Sequence, residues 1–202
     1  ITGREELVLL EHVWFALACN ALVLRLAGEP VLAHLDVVAI ALCPFLAAGR
    51  LGCTLVGCCH GLPSSVGITY PAECAAEGFP REWVGIRLFP VPALEGIGLL
   101  FIGASGLLAL PFLPAGHVFA WFLLAYAVLR FGLEGIRGDP RPQFAGLSQA
   151  RWMALVETAM ALRIGAGPHR VPATAVYAAL LVTLVGATTE NPSYSLNPAL
   201  VS

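Results

Sequence analysis

The chain has 202 residues, of which 58% are hydrophobic and only 12% charged, and its mean hydropathy is +0.80; a soluble globular domain carries about 25% charged residues. That balance excludes an ordinary soluble enzyme and points to a chain that crosses a membrane several times. A net charge of -2 and a pI near 6.2 leave no basic footprint for nucleic acid, which is excluded as a partner.

In chain order, a window of about 20 apolar residues marks the spans. The first covers 7–27, interrupted by Glu11, His12 and Asn20, and ends at the turn Gly28-Glu29-Pro30. The second covers 31–48, with His34 and Asp36 near its start. The segment 49–92 holds Pro63, Pro71, Pro80 and Pro90 and is too polar to lie in lipid uncovered. A third span at 93–113 leads through a tight turn into a fourth at 117–136. Beyond a Pro-rich loop at 138–146, the stretch 147–164 has helical potential, but Arg151, Glu157 and Arg163 make it a poor lipid-facing helix. A clean apolar run follows at 171–187, and the polar tail from Thr188 is expected to fray.

These elements predict an all-α polytopic membrane protein, a single membrane domain over 1–202 with about five to six transmembrane helices. Between the second and third lies a membrane-external head, 49–92, carrying part of the site. The chain opens at Ile1 without a methionine or the flank and cleavage site of a signal peptide, so an upstream portion is expected to be missing. Arg50, Arg81, Arg87, Arg137 and Arg141 would put the loops after the second and fourth spans in the cytoplasm by charge count. Arginines held in a site need not act as topogenic charges, so the count alone does not settle orientation.

Two stretches carry the chemistry. The first is GRLGCTLVGCCHG at 49–61, an arginine among glycines, cysteines and a histidine at the edge of a span. An ionisable residue there is costly and marks a functional site by default; the competing reading is an arginine snorkelling to the interface. The second is Tyr126, Arg130, Glu134 and Arg137, spaced by four, four and three residues and so expected on one helix face. That stripe must face the protein interior or a water-filled cavity, as a site or as a structural Arg-Glu lock between helices. Arg50 and Arg130 together exceed the charge of Glu134, and guanidinium surplus suits a bidentate anion such as a phospholipid phosphate. All 11 positive side chains are arginine, which fits fixed charge in low dielectric and equally fits a codon-usage bias. Glu95, in PALEG, either orients an arginine or caps the start of the third span.

Cys53, Cys58, Cys59 and Cys74 crowd the head with His60, while Cys19 and Cys43 sit in apolar runs and read as packing residues. Three readings compete for the loop cysteines: a disulfide, a zinc site, and a catalytic or redox-sensing thiol near Arg50. Adjacent Cys58 and Cys59 are an awkward pair for one tetrahedron, and no metal or cofactor is expected.

The residues resemble the prolipoprotein diacylglyceryl transferase family, integral membrane enzymes that move a diacylglyceryl group from phosphatidylglycerol to the lipobox cysteine of a prolipoprotein. The likeness runs over about 36–149. It rests on Asp36, on Gly49-Arg50-Leu51-Gly52 with Gly57 and Gly61, on FPVPALE ending at Glu95, and on YAVLRFGLEGIRGDP with Tyr126, Arg130, Glu134, Arg137 and Asp139 in register. The chain departs from the family at Cys53, Val56 and Cys58, where Asn, Asn and Glu are usual, and at Phe89, Pro92 and Leu94, where His, Gln and Tyr are usual. His12 matches the histidine of the family's His-Gly-Gly motif across a short gap.

The resemblance implies a transferase of the bacterial plasma membrane, multi-pass, with a periplasmic head. Arg50, Arg130 and Glu134 are then catalytic, with His12, His60 or Glu134 available to take the thiol proton and histidine the best fit by its pKa. Arg50, Tyr126, Arg130, Arg137, Glu95, Gly49 and Gly52 would line the site for phosphatidylglycerol or a similar anionic phospholipid, and the glycines suit a loop passing close to the headgroup. The other partners are the lipobox peptide and the bilayer. The alternative is a lipid-binding or thiol-redox or metal module on the same fold without transferase activity.

Overall fold

The computed structural model describes residues 4–77, 79–139 and 143–165, with side chains from Val13 onward except at residues 77 and 144. The predicted span at 171–187 and the polar tail lie outside the described residues. Helix α1 is Arg4–Leu26, α2 is Val31–Val56, α3 is Val91–Ala109, α4 is His117–Glu134 and α5 is Gln149–Gly165. Between α2 and α3 lie two short strands, β1 (Pro63–Thr69) and β2 (Arg87–Leu88), paired antiparallel, and between α4 and α5 a second small pair, β3 (Gln143–Phe144) and β4 (Leu147–Ser148).

Among the described residues three helices are long and apolar enough to cross a membrane: Val31–Val56, Val91–Phe112 and His117–Glu134. The polytopic helical reading therefore holds. The outward faces of these helices are apolar, with Val37, Phe45, Ile97, Phe101, Leu108 and Val128 exposed. The interior instead holds Asp36, Glu95, Arg130 and Glu157. A surface less polar than its interior suits lipid as solvent.

Helix α2 packs on α3, α3 on α4 and α4 on α5. The core draws on Leu35, Ala39, Cys43, Leu99, Ile102, Phe119, Leu123 and Tyr126, and Met153 and Met160 of α5. In the α2–α3 seam a Cβ at Gly103 would lie 2.7 Å from Cys43 Cβ, so only glycine admits that approach. Cys43 is thus a packing residue, as expected, whereas Cys19 is exposed on α1.

Asp36 of α2 ties the far end of the bundle. Its carboxylate accepts from the Gly116 and Phe119 backbone N–H groups, both at 2.7 Å. These are orphan donors at the start of α4, where Gly116 sits in a left-handed turn, so a cap is supplied from another helix rather than from the preceding residue.

The second helix does not stop at residue 48. It continues through Gly49 and Gly52 to Val56 and ends where Gly57, at φ +85°, turns left-handed and donates its N–H to Cys53 O at 3.0 Å. Irregular structure therefore starts at Gly57 rather than Gly49. The glycines lower helix propensity, yet packing against α3 overrides it. The third helix begins at Val91, two residues earlier than hydropathy suggested, because Pro90 and Pro92 are suited to a helix start.

Three chain segments meet beyond the ends of α2, α3 and α4 through main-chain bonds. Gly61 N–H donates to Phe89 O (2.9 Å), Phe89 N–H to Leu62 O (3.0 Å), Leu62 N–H to Ile136 O (3.0 Å) and Gly138 N–H to His60 O (2.9 Å). The head is built on this seam, with a small core of Tyr70, Phe79 and Leu88.

Candidate functional site

Glu95, one turn into α3, is fully buried and joins the two arginines. Arg130 Nη1 donates to both of its carboxylate oxygens at 3.1 and 3.0 Å, and Arg50 Nε lies 3.1 Å from Oε2. Tyr126 OH donates to Oε1 at 3.0 Å. Of its two competing roles, Glu95 takes the orienting one. Tyr126 and Arg130, four residues apart, reach it from one face of α4, and the Phe122 and Tyr126 rings stack with centroids 5.8 Å apart. Arg50 comes from the last turns of α2 and Glu95 from the first turns of α3, so three helices contribute.

A carboxylate removed from water in this way is tolerable only because two guanidinium groups and a hydroxyl replace its hydration. The cluster Arg50–Glu95–Arg130 carries one more positive than negative charge. Arg50 is its more accessible arginine, with 13% of its side chain exposed against 7% for Arg130. Glu157 of α5 was not among the expected site residues, yet it is buried and acts electrostatically on Arg130 and Tyr126. Its signal in the sequence was the one carboxylate of a helix that also carries Arg151 and Arg163.

The expected one-face stripe holds in part. Tyr126, Arg130 and Glu134 lie on α4, and Glu134 is half-buried at its last turn. Arg137 does not belong to the stripe, because the helix ends at Glu134 and Arg137 sits in the seam, bridged to Gly61 through its backbone. Its side chain pairs with Asp139, Nε to Oδ1 at 2.9 Å and Nη2 to Oδ2 at 3.2 Å. Gly49 and Gly52 are exposed helical positions with open space where a Cβ would stand. The expectation of a loop at these glycines is therefore corrected, since α2 is still helical there.

His60 is buried in the seam. Its ring packs 5.7 Å from Phe79 and 5.4 Å from Trp83, and Nδ1 lies 3.0 Å from Gly61 O. A carbonyl can only accept, so this contact puts a proton on Nδ1, and in the neutral form of the ring Nε2 is then the acceptor. His12 lies in α1, and its side chain is outside the described residues. Cys53, Cys58 and Cys59 converge at the end of α2, with their sulfurs within 4.8 Å of one another. Cys74 instead packs as a free thiol against the head core. Tyr70 OH donates to Thr54 O at 2.8 Å; burial raises its phenol above the ordinary value, with Cys58 and Cys74 adding to the rise.

Residues 13–165 match the family model for prolipoprotein diacylglyceryl transferase. The chain is 32% identical over 113 residues to phosphatidylglycerol–prolipoprotein diacylglyceryl transferase 2 of Clostridium perfringens, covering 53% of this chain and 41% of the relative. It is 32% identical over 127 residues to the phosphatidylglycerol–prolipoprotein diacylglyceryl transferase of Clostridium tetani (62% and 49%), and 33% identical over 118 residues to that of Dehalococcoides mccartyi (57% and 44%). It thus spans less than half the length of these curated relatives. No solved structure matches the chain significantly. With the matched segment running from α1 through α5 and enclosing every residue of the arginine–glutamate cluster, the chain belongs to the prolipoprotein diacylglyceryl transferase family.

Proposed function

We propose that the chain catalyses transfer of a diacylglyceryl group from phosphatidylglycerol to the cysteine thiol of a lipoprotein precursor. The observation that carries this reading is the pair Arg50 and Arg130 held on one buried carboxylate. In the transfer, the acceptor sulfur forms a bond to a glyceryl carbon as the bond from that carbon to a phosphate oxygen breaks. The phosphate departs with its glycerol, and the thiol proton passes to a base. Charge grows on the leaving phosphate, and two guanidinium groups fixed in a water-poor interior stabilise it without reorganising. Arg50 and Arg130 hold the phosphate, Glu95 and Tyr126 position the arginines, and the bare backbone at Gly49 and Gly52 leaves room beside Arg50 for a lipid. Arg137, fastened by Asp139, supports the seam next to Glu134. The base is His60 through Nε2, His12 or Glu134; histidine suits the task best by its ordinary pKa.

The protein resides in a bacterial plasma membrane, crossing it several times, and the head faces the periplasm, where precursor cysteines emerge. A second reading, a lipid-binding or thiol or metal module without transfer activity, is favoured by the convergence of Cys53, Cys58 and Cys59. Incubating the purified chain with phosphatidylglycerol and a lipobox peptide separates the two. The first reading expects the peptide to gain the mass of one diacylglyceryl group, and Arg50→Ala or Arg130→Ala to abolish the gain while the helix content stays intact. An unmodified peptide, under conditions where a transferase of known activity modifies it, overturns that reading in favour of the second.

A further inference from the structure

The three cysteines at the end of α2 are not needed for the transfer chemistry, yet the backbone is bent to bring them together. Neighbouring residues in extended chain point to opposite sides, which is why adjacent Cys58 and Cys59 looked incompatible with one shared ligand. Two left-handed residues remove that obstacle: Gly57 at φ +85° and Cys59 at φ +63°. A cysteine in this region is uncommon, and such outliers concentrate where function holds them. The chain folds back on the last turn of α2, and Cys58 Sγ lies 3.8 Å from Cys53 O. The three sulfurs end within 4.8 Å of one another, with Cys53 and Cys58 half-buried and Cys59 buried.

We propose that Cys53, Cys58 and Cys59 form a three-thiolate site for a thiophilic metal cation of the zinc(II) type, with a fourth position left for water or an incoming ligand. Zinc–sulfur bonds of about 2.3 Å in a tetrahedron set sulfurs about 3.8 Å apart, so rotamer adjustments of about an ångström complete the site. On binding, each thiol gives its proton to solvent as its sulfur takes up the cation. The cluster sits at the carbonyl end of α2, where the helix dipole favours positive charge. His60 is not a ligand: its ring packs against Phe79 and Trp83, with Nδ1 turned to Gly61 O. With three protein ligands rather than four, the site is of the open kind. It also fastens the first residues of the head to the helix that carries Arg50.

The test uses the full chain purified in detergent and titrated with cobalt(II) and zinc(II). We expect one cobalt per chain with sulfur-to-metal charge-transfer absorption in the near ultraviolet, lost in each of Cys53→Ser, Cys58→Ser and Cys59→Ser and kept in Cys74→Ser. Absence of the band, or its survival in all three variants, overturns the proposal. If the variants fail to fold, X-ray absorption on the unaltered zinc-loaded chain decides: three sulfur neighbours support the site, and only nitrogen or oxygen neighbours overturn it. Thiol counting on the reductant-free chain that shows two of the three joined in a disulfide also overturns it. None of these readouts depends on transfer activity.

Discussion

Glu95 is the residue whose chemistry most depends on its surroundings. Glu95→Gln keeps the shape and removes the charge, leaving Arg50 and Arg130 without the carboxylate that joins them. Stripping one partner from a buried ion pair costs about 3–5 kcal/mol, so a marked fall in the thermal midpoint is expected, together with loss of transfer by more than about 100-fold through misplacement of the arginines. Tyr126→Phe deletes a single hydrogen bond worth about 1 kcal/mol. It should unfold only slightly earlier and retain transfer to within about tenfold. Scanning calorimetry in detergent and the peptide-modification assay check both, and equal losses in the two variants would deny Glu95 its central position. At this scale the sequence was informative about charge and poor about partners. Arg50 and Arg130 stood out because arginine in an apolar run needs a reason, but Glu95 lies 35 residues from Arg130, and no local spacing announces a pair so distant. Glu157 was legible as an anomaly and not as a neighbour.

At the scale of elements, hydropathy placed the starts of α2, α3 and α4 to within two residues, since burial in lipid demands a long apolar run whatever the packing. Their ends were less legible. The end of α2 is set by the left-handed turn at Gly57 and not by Gly49 or Gly52, and a glycine's letter does not say which of these conformations it adopts. Arg137 fell outside α4 for a similar reason: its three-residue spacing from Glu134 fits a helix that has already ended. The start of α4 depends on Asp36, eighty residues earlier in the chain. Asp36→Ala should expose two unsatisfied N–H groups and destabilise the fold by about 1–2 kcal/mol, whereas Asp36→Asn should lose less. Faster amide exchange confined to the first turn of α4 would be the accompanying sign, and unchanged exchange there would remove the cap from the account.

For the whole molecule, the distinction between outside and inside is reversed relative to a soluble protein, and the sequence conveyed it through composition alone. Orientation was not legible, because two of the arginines in the charge count are engaged elsewhere, Arg50 in the site and Arg137 in the seam. An epitope inserted between Ser65 and Val66 tests the periplasmic head. This exposed position lies in β1 where the register with β2 is irregular between Pro63 and Ile68, so the insertion leaves the paired residues intact. Antibody binding to spheroplasts without permeabilisation is expected; binding only after permeabilisation would reverse the orientation. The seam joining His60, Gly61, Leu62, Phe89, Ile136 and Gly138 consists of main-chain hydrogen bonds, which are largely indifferent to side-chain identity. A framework tied in this way lets neighbouring side chains be exchanged, amide or carboxylate for thiol, while the helices bearing Arg50 and Arg130 keep their register. The seam therefore gives the lineage latitude to alter the chemistry at the rim while the arginine–glutamate centre stays in place.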